Sequence, residues 1–526
     1  MLTKSLLSQA LLSVTLILTG CGGGSGGGST SPETTSPETT SPETTSPETT
    51  SPETTSPETT SPETTSPETT PPVVSVPVIE QALFAANSDI NTGNELWITD
   101  GSEAGTKFVK DINASGNSNP YNFTQVGSKW FFNANNGING VELWVSDGTE
   151  SGTSMVKDIR SGTSSSHPAN LIAYKGKLIF SATDTFGDTE LWVSDGTDAG
   201  TNLVKNIHLN TSSRIGNTVL FNDQVYFTAK DENYARQELW KTDGTEAGTG
   251  LAAKINPNPS NLGDGSFIGS TPGLLTPFGN TLFMAADNTF SQPDPTIELE
   301  LFSYWLDGSI HKYDVLAGKA SSKPNELTVV DDSLYIVAKD NRGYNIWAYR
   351  DGQLLPITSF TGASAGLAPK FLTAVGDKLY FVANEPIQGS ELWITDGSPA
   401  GTPTGARPVK DINVGSIGSA IRDLHSVDGK LLFVARGNVH TEDALWVSDG
   451  TEAGTVEVSK ITATGSDPEM QQFMTLNNKL LFSANDAIHG AELWSSDGTS
   501  ANTSLVKDIN PDASGSYPAF VKVRTP

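Results

Sequence analysis

The chain has few of the residues on which several classes of protein depend. Its one cysteine, Cys21, excludes a disulfide framework and any zinc site built from cysteines. Positive charge is also scarce, since 32 Lys and Arg against 60 Asp and Glu give a net charge of −28. This balance excludes a nucleic-acid partner, because phosphate binding depends on clustered Lys and Arg. Apolar residues reach only 36%, which together with 51 Gly and 30 Pro favours many short strands over a helical bundle.

Long hydrophobic runs are missing as well. The apolar run at residues 6–18 is too short for a comfortable transmembrane helix. It follows Lys4 and closes on Leu18-Thr19-Gly20-Cys21. This ending resembles the lipobox of bacterial lipoprotein signal peptides, which implies cleavage before Cys21, acylation of that residue and anchoring in the lipid bilayer. Because Gly22 follows instead of Asp, the same resemblance implies the outer membrane and leaves surface exposure open. The alternative is a plain secretory signal with an incidental cysteine.

Residues 21–77 are predicted to form a lipid-anchored stalk. A Gly- and Ser-rich stretch, 22–30, precedes eight uninterrupted copies of Ser-Pro-Glu-Thr-Thr at 31–70. Proline at every fifth position is incompatible with a helix, there is no apolar side chain to bury, and the glutamates repel one another. We therefore expect a disordered, extended spacer of at most roughly 120 Å with a polyproline bias. Residues 1–20 are then the signal peptide, and residues 78–526 the folded domain.

One motif recurs through residues 78–526 and indicates the fold. Its clearest copy is Glu142-Leu-Trp-Val-Ser-Asp147-Gly148-Thr149. Apolar runs before and after each copy add up to four strands per unit, which we name A to D in chain order. Four strands in a unit of about 47 residues are typical of a β-propeller blade. Nine copies of the motif are centred 45–62 residues apart, and the two at Phe302 and Trp347 match it only in part. The centres are Trp97, Trp144, Trp192, Trp240, Phe302, Trp347, Trp393, Trp446 and Trp494.

The two ends of the array predict how the ring closes. The first unit starts at strand B, at residues 82–86, and the chain finishes with an apolar segment, 517–523, that has the pattern of a lone strand A. Pairing the two would complete the first blade and leave no open edge. We therefore predict an all-β fold, a single β-propeller of nine four-stranded blades closed by the C-terminal strand. Nine exceeds the four to eight blades that are usual.

The array resembles the bacterial ELWxxDGT repeat family. The resemblance covers about residues 78–523 and rests on six or seven specific copies of the motif. It implies a propeller in an exported protein, which agrees with the strand pattern. The family offers no settled activity, so the resemblance bears on fold and location and not on function.

The Asp-Gly pair of each motif predicts a tight turn between strands C and D. Asp bonds its own chain two residues on, and Gly adopts the left-handed conformation that such a turn needs. Calcium is the alternative, because a second acid often follows three residues later, as Glu150 follows Asp147; the loop lacks the alternating oxygens of a known calcium loop, however. We therefore predict no metal and no cofactor, with calcium as the alternative. The predicted turn residues are Asp100, Asp147, Asp195, Asp243, Asp396, Asp449 and Asp497.

The repeated tryptophan predicts packing between blades, because a large ring present once per blade suits a core better than an exposed platform. The glutamate of Glu-Leu-Trp is expected to be hydrogen-bonded, with no partner that the sequence identifies. Lysine in strand D suits an outer edge that must resist pairing with other chains. The predicted packing residues are Trp97, Trp144, Trp192, Trp240, Trp347, Trp393, Trp446 and Trp494.

The regular repeats favour a monomeric binding module of adhesion type over an enzyme, because an active site usually breaks the symmetry of one or two blades. The partner is an unknown protein or glycan. The alternative is an extracellular hydrolase or lyase with its site at the channel mouth. Loop variation on a rigid frame is typical of recognition surfaces, so we predict that a ligand meets the face of the B–C loops and D–A connections. The variable B–C loops are 135–140, 184–189, 231–237, 287–296, 385–390 and 436–443.

Overall fold

The structure, a computed structural model, describes residues 80–520 except 89–92, 257–267, 288–298, 317–320, 363–367, 403–404, 439–441, 460, 462–466 and 512–514. All of these residues belong to the second of the chain's two units, Val76–Pro526. The predicted signal peptide, Cys21 and the stalk lie outside the described residues. Parts of two predicted recognition loops, 287–296 and 436–443, lie outside them too.

The described residues form 35 strands, four in every blade but the first. Blade 1 contains β1 Ala82–Asn87, β2 Asn94–Thr99 and β3 Lys107–Lys110. Blades 2 and 3 contain β4 Tyr121–Val126, β5 Lys129–Asn135, β6 Val141–Ser146, β7 Ser154–Lys157, β8 Ala169–Tyr174, β9 Lys177–Thr183, β10 Thr189–Ser194 and β11 Asn202–Lys205. Blades 4 and 5 contain β12 Gly216–Phe221, β13 Gln224–Ala229, β14 Glu238–Thr242, β15 Gly250–Ala253, β16 Gly273–Phe278, β17 Thr281–Asp287, β18 Leu299–Trp305 and β19 Ile310–Tyr313.

The later blades repeat the same order. Blades 6 and 7 contain β20 Asn325–Val330, β21 Ser333–Lys339, β22 Tyr344–Arg350, β23 Gln353–Pro356, β24 Lys370–Val375, β25 Lys378–Glu385, β26 Gly389–Thr395 and β27 Arg407–Lys410. Blades 8 and 9 contain β28 Arg422–Val427, β29 Lys430–Ala435, β30 Ala444–Ser448, β31 Val456–Ser459, β32 Gln471–Leu476, β33 Lys479–Asn485, β34 Ala491–Ser496 and β35 Ser504–Lys507. A 3₁₀ turn at Ser500–Asn502 is the one helical element of the described residues. No helix in that part of the chain is long and apolar enough to cross a membrane.

Each blade is an antiparallel meander in which strand C pairs with strands B and D. In blade 2, for example, Trp144 of strand C lies opposite Phe132 of strand B and Met155 of strand D. The middle strands are buried on both faces, because every blade is covered by two neighbours. The A–B and C–D turns lie on one side of the ring, here called the lower face. The B–C loops and D–A connections lie on the other side, the upper face.

The hydrophobic core shows that the nine blades form a closed ring. It consists of nine clusters, each built from two consecutive blades, and the last cluster joins blade 9 to blade 1. That last cluster combines Leu481 and Leu493 of blade 9 with Phe84 and Trp97 of blade 1. The prediction of a nine-bladed propeller is therefore confirmed.

The C-terminal segment completes blade 1. Ala519 donates its N–H to the carbonyl of Ala85 at 2.8 Å, and Ala85 donates back at 3.2 Å. Asn87 donates to the carbonyl of Ser516 at 2.9 Å. The ring of Phe520 lies 5.2 Å from that of Phe84 and belongs to the cluster between blades 9 and 1. Residues 516–520 therefore close the ring, as the sequence predicts, while residues 521–523 of the predicted strand lie outside the described residues.

The strand-D lysines connect neighbouring blades. Lys110 of blade 1 donates to the carbonyl of Thr153 in the C–D turn of blade 2, at 2.9 Å. Lys205 and Lys410 make the same contact with the following blade, at 2.9 and 2.8 Å. These lysines thus link the outer strands of blades 1, 3 and 7 to the next blade, a role beyond the edge protection that the sequence suggests.

Candidate functional site

The repeated aromatic residue of the motif lies in the core between blades. Each of the nine clusters contains one such ring, which faces the preceding blade. Trp347 and Trp494 are partly buried, and the other rings are buried. These rings therefore offer no exposed stacking surface. The buried rings are Trp97, Trp144, Trp192, Trp240, Phe302, Trp393 and Trp446.

The motif aspartates hold the C–D turns of the lower face. In blade 2, Oδ1 of Asp147 accepts the backbone N–H of Thr149 at 2.9 Å and its hydroxyl at 2.7 Å. The hydroxyl and then the N–H of Thr149 keep the pKa of Asp147 below its ordinary value. The same donors at residue i+2 lower the pKa of Asp195, Asp243, Asp449 and Asp497.

Other bonds in each turn occupy the remaining polar groups of the motif. The hydroxyls of Ser146 and Thr153 lie 2.7 Å apart across the turn, and Gly148 donates its N–H to Ser146 Oγ at 3.0 Å. In blade 7, Oδ1 of Asp396 accepts the backbone N–H of Ser398 at 2.9 Å. The described residues contain no group of three or more His, Cys, Asp and Glu side chains that could hold a metal ion.

The glutamate of Glu-Leu-Trp is a buried carboxylate that fixes the D–A connection. Oε2 of Glu142 accepts the N–H of Ile159 at 3.1 Å and the hydroxyl of Ser166 at 2.6 Å, while Oε1 accepts the N–H of Ser166 at 2.9 Å. Ser166 lies just before strand A of blade 3, so this carboxylate positions the entry to the next blade. The equivalent acids bonded to a connection serine are Glu95, Glu190, Glu238, Glu300, Glu391 and Glu492.

Burial raises the pKa of these glutamates, although the serine hydroxyl and backbone N–H groups oppose the shift. The pKa reaches about 7 in Glu238 and in Glu391. The sequence did contain a sign of the partner, because Ser-x-Pro recurs before strand A, as at Ser118 and Ser166.

Blades 6 and 8 lack this glutamate. In blade 6 its place is taken by Asn345, whose Oδ1 accepts the Thr358 hydroxyl at 3.0 Å and the N–H of Phe360 at 2.7 Å. In blade 8 its place is taken by Ala444, which has no polar group to offer. There the preceding residue, Asp443, binds two arginines instead.

The Asp443 carboxylate is 8% exposed and lies between Arg422 and Arg436, with each N–O distance 2.6 Å. The two arginines hold the pKa of Asp443 below its ordinary value, against the effect of burial. Arg422 also pairs with Asp423, and Arg436 with Asp467 at 3.5 Å. Blade 8 therefore carries a charged network on the upper face where most other blades carry the glutamate–serine link.

A cleft of about 700 Å³ lies beside this network, between blades 7 and 8 on the upper face. Its volume falls in the range of small-molecule sites, roughly 300–1,000 Å³. The inner strands β24 and β28, the D–A connection of blade 7 and residues 436–438 after strand B of blade 8 form its walls. The lining residues are Lys370, Phe371, Val382, Ser390, Asn413, Ile417, Gly418, Ala420, Ile421, Arg422, Arg436, Gly437 and Asn438.

The second residue of strand A links neighbouring blades in three places but not at the cleft. In blades 3 and 4 this residue is an asparagine whose amide donates to the next blade, from Asn170 to Ile215 O at 2.9 Å and from Asn217 to Pro272 O at 3.3 Å. In blade 6, Glu326 accepts the N–H of Leu372 at 2.8 Å. In blade 7 the residue is Phe371, which cannot make such a bond and is 40% exposed. Leu274, at the same position in blade 5, also cannot make the bond and is 40% exposed, so the loss of this link is shared with another blade.

Large exposed apolar side chains are concentrated on the upper face. Among the described residues, seven are more than 60% exposed, and all seven lie in B–C loops or D–A connections. Single exposed hydrophobes are ordinary, but a set confined to one face indicates a contact surface. We call these seven residues the apolar tips: Ile138, Phe186, Leu209, Ile387, Val414, Ile417 and Ile488.

The prediction from loop variation did not identify the apolar tips. A signal for three of them is present in the sequence, because an isoleucine two residues before a loop glycine recurs at Ile138, Ile387 and Ile488. The cleft, by contrast, is lined by residues of two blades that are far apart in the sequence, so no continuous stretch of sequence indicates it.

A scan against protein-family models finds no match, and neither does a search of curated proteins. Among solved structures, the chain is similar to one described in work on two prolyl endopeptidases, with 11% identity, a TM-score of 0.39 and coverage of 65% of this chain and 49% of that chain. It is similar to Pyrococcus horikoshii acylaminoacyl peptidase with 13% identity, a TM-score of 0.34 and coverage of 74% and 52%. The chain thus spans about half the length of these two structures.

A third similar structure is the β-propeller domain of the Trilobed protease from Pyrococcus furiosus. It has 10% identity and a TM-score of 0.34, and the match covers 66% of this chain and 99% of that chain. With TM-scores below 0.4, these likenesses carry no argument about what this chain does. The resemblance to ELWxxDGT repeats stays a prediction.

Proposed function

We propose that the chain is a lipid-anchored protein of the bacterial envelope whose propeller binds a macromolecular partner through the upper face. The observation that carries this proposal is the confinement of the seven apolar tips to that face. They lie on loops that differ in sequence from blade to blade, and binding residues commonly lie on such loops of a rigid scaffold. The lower face carries one nearly uniform turn, which suits a structural role.

The test compares the two faces of the full chain. In the Cys21→Ser background, which removes the proposed anchor, replacing Ile138, Phe186, Ile387 and Ile488 by Ser should abolish binding to isolated envelopes, measured by cosedimentation. The matched control neutralises the acidic lower face and should bind as the wild type does; its changes are Glu103→Gln, Glu150→Gln, Asp198→Asn, Glu246→Gln and Glu452→Gln. The opposite pattern would move the site to the lower face and favour calcium.

Two features of the sequence support the anchor. Residues 18–21 resemble a lipobox, and the forty-residue spacer would hold the propeller away from the bilayer. Cys21→Ser should move the protein from the membrane fraction to the soluble fraction and remove labelled palmitate. Unchanged membrane association would show that the anchor lies elsewhere. The palmitate label reports on Cys21 alone, so this second readout does not depend on the binding face.

A further inference from the structure

We propose that the cleft between blades 7 and 8 binds an acidic saccharide, with a carboxylate on Lys370 and Arg436 and the apolar face of a sugar ring on Phe371. The inference rests on the proposed binding function and names one ligand class for it. It concerns a site that is separate from most of the apolar tips.

The charge of the cleft points to an anion. Its lining contains three cations, Lys370, Arg422 and Arg436, and no Asp or Glu, in a chain with 60 acids and 32 bases. The two arginines pair with Asp423, Asp443 and Asp467. Lys370, by contrast, is in no ion pair of the described residues and leaves one unpaired positive charge at the cleft, which attracts ligands of the opposite sign. The ligand is therefore expected to carry negative charge.

Two of the three cations are available to a ligand. Lys370 Nζ lies 5.0 Å from the ring centre of Phe371 and takes part in no ion pair of the described residues. Arg436 uses Nε and Nη2 on Asp443 and Asp467, which leaves Nη1, and its side chain is 45% exposed. Arg422 has both Nη atoms engaged by Asp423 and Asp443 and so acts as a positioning residue.

The uncharged part of the lining fits a polyhydroxylated ring. Phe371 is 40% exposed in the lining, with Lys370 Nζ over its ring, so part of its aromatic surface is open to a ligand. The amide of Asn413 donates to Gly418 O at 2.8 Å, which leaves its oxygen as an acceptor. The oxygen of Asn438 accepts the N–H of Val414, which leaves its NH₂ as a donor. One acceptor and one donor beside an aromatic face suit hydroxyl groups around a sugar ring.

The combination selects this class against simpler ligands. Inorganic phosphate would use the cations but leave the ring of Phe371 and the two amides without contact. An apolar peptide would cover Phe371 but leave the Lys370 ammonium and Nη1 of Arg436 without a partner, which carries a desolvation cost. A sugar ring with a carboxylate uses all three features at once.

The experiment measures the binding of an oligogalacturonate to the full chain in detergent by calorimetry. Its carboxyl-reduced form is the matched neutral probe, and inorganic phosphate and acetate are the simple anions. We expect the oligogalacturonate to bind and the reduced form to bind at least tenfold more weakly. Added salt should weaken the binding of the oligogalacturonate. Lys370→Ala and Phe371→Ala should each weaken it tenfold or more.

Matched variants guard against general effects. Lys378→Ala, an exposed lysine of the lower face, and Phe108→Ala, an exposed aromatic of strand D, should leave binding unchanged. Thermal unfolding identifies any variant that fails to fold, and Lys370→Ala removes no ion pair, so at least that variant should fold.

Three outcomes would overturn the inference. Equal binding of the reduced probe would show that the carboxylate is unused. Full competition by phosphate at equal concentration would assign a simple anion site. Absence of binding to every probe would reject the saccharide class. None of these results would affect the envelope binding that depends on Ile138, Phe186, Ile387 and Ile488, so failure here is distinct from failure of the proposed function.

Discussion

At the scale of single residues, the second glycine of each C–D turn is explained by the carboxylate that it faces. A Cβ added at Gly248 would lie 2.1 Å from Cγ of Asp243, and the same collision occurs at Gly105, Gly152, Gly200 and Gly454. The Asp243 carboxylate cannot swing away freely, because Oδ1 holds the N–H and hydroxyl of Thr245 at 2.9 and 2.7 Å. The motif therefore needs this glycine for space.

Gly248→Ala should destabilise the propeller by about 1–3 kcal/mol, because the new Cβ displaces the Asp243 carboxylate from its two hydrogen bonds with Thr245. Gly250→Ala, two residues later, is the matched control. A Cβ at Gly250 meets nothing within 4 Å. That variant should be neutral or gain up to about 1 kcal/mol, since alanine restricts the unfolded chain. Thermal unfolding of the two proteins checks the difference, and equal midpoints would contradict the explanation.

The sequence predicts the aspartate turns because both partners lie within two residues of each other. It did not yield the partner of the glutamate, because Ser166 lies 24 residues after Glu142 and serine is common throughout the chain. Partners that are two residues apart form a continuous sequence motif. Partners separated by a whole D–A connection leave only a weakly recurring pattern in the sequence. The same limit applies to the cleft, which Phe371 and Asn438 line from different blades.

At the scale of the element, the C-terminal segment differs from the internal strands, because it pairs with the first strand of the array, β1. Residues 516–520 bond to strand β1 and place Phe520 against Phe84. Ser516 also donates to Glu492 of blade 9 at 2.6 Å. The segment therefore contacts both blades that meet at the closure.

Phe520→Ala should cost about 3 kcal/mol, because Phe520 is 4% exposed and its removal leaves a cavity in the last cluster. Deletion of 516–526 should cost more and promote aggregation, since it exposes the edge of β1. Tyr517→Ala is the control, as that side chain is half exposed in the same segment. Thermal unfolding and light scattering measure the effects. A deletion variant as stable as the wild type would mean that closure does not depend on this segment.

At the scale of the whole molecule, the fold follows from one unit that cannot bury its faces alone. Strand C carries apolar residues on both faces: in blade 2, Trp144 packs towards blade 1 and Leu143 towards blade 3. Each blade therefore requires two neighbours. The repeat count alone predicts nine blades, and the missing first strand predicts the closure. The residues that distinguish one blade from another, such as Ala444 and Phe371, interrupt the repeat. Their effects on hydrogen bonding and on the surface could not be predicted from the sequence and are visible only in the structure.

The buried glutamates make the stability of the ring depend on pH. A folded-state pKa above the ordinary value means that the native state disfavours the charged form, so the stability is fully present below pH 4.5 and is lost as pH rises through the folded pKa. Glu238, with a pKa of about 7, should alone contribute a loss of about 3 kcal/mol across this window. The turn aspartates act in the opposite sense, because their lowered pKa makes stability fall below about pH 4.

The unfolding midpoint should therefore be highest near pH 5 and decrease towards pH 8, before the effect of net charge is added. Glu238→Gln should flatten this decrease, because the glutamine does not titrate, even though it lowers the midpoint at every pH by placing an NH₂ group against backbone donors. Glu246→Gln, an exposed change in the adjacent turn, should leave the slope as it is. Thermal scans at pH 5, 6, 7 and 8 compare the slopes of the three proteins. A midpoint that rises from pH 5 to pH 8 in the wild type would show that these carboxylates are stabilised in their charged form by the serine and backbone donors.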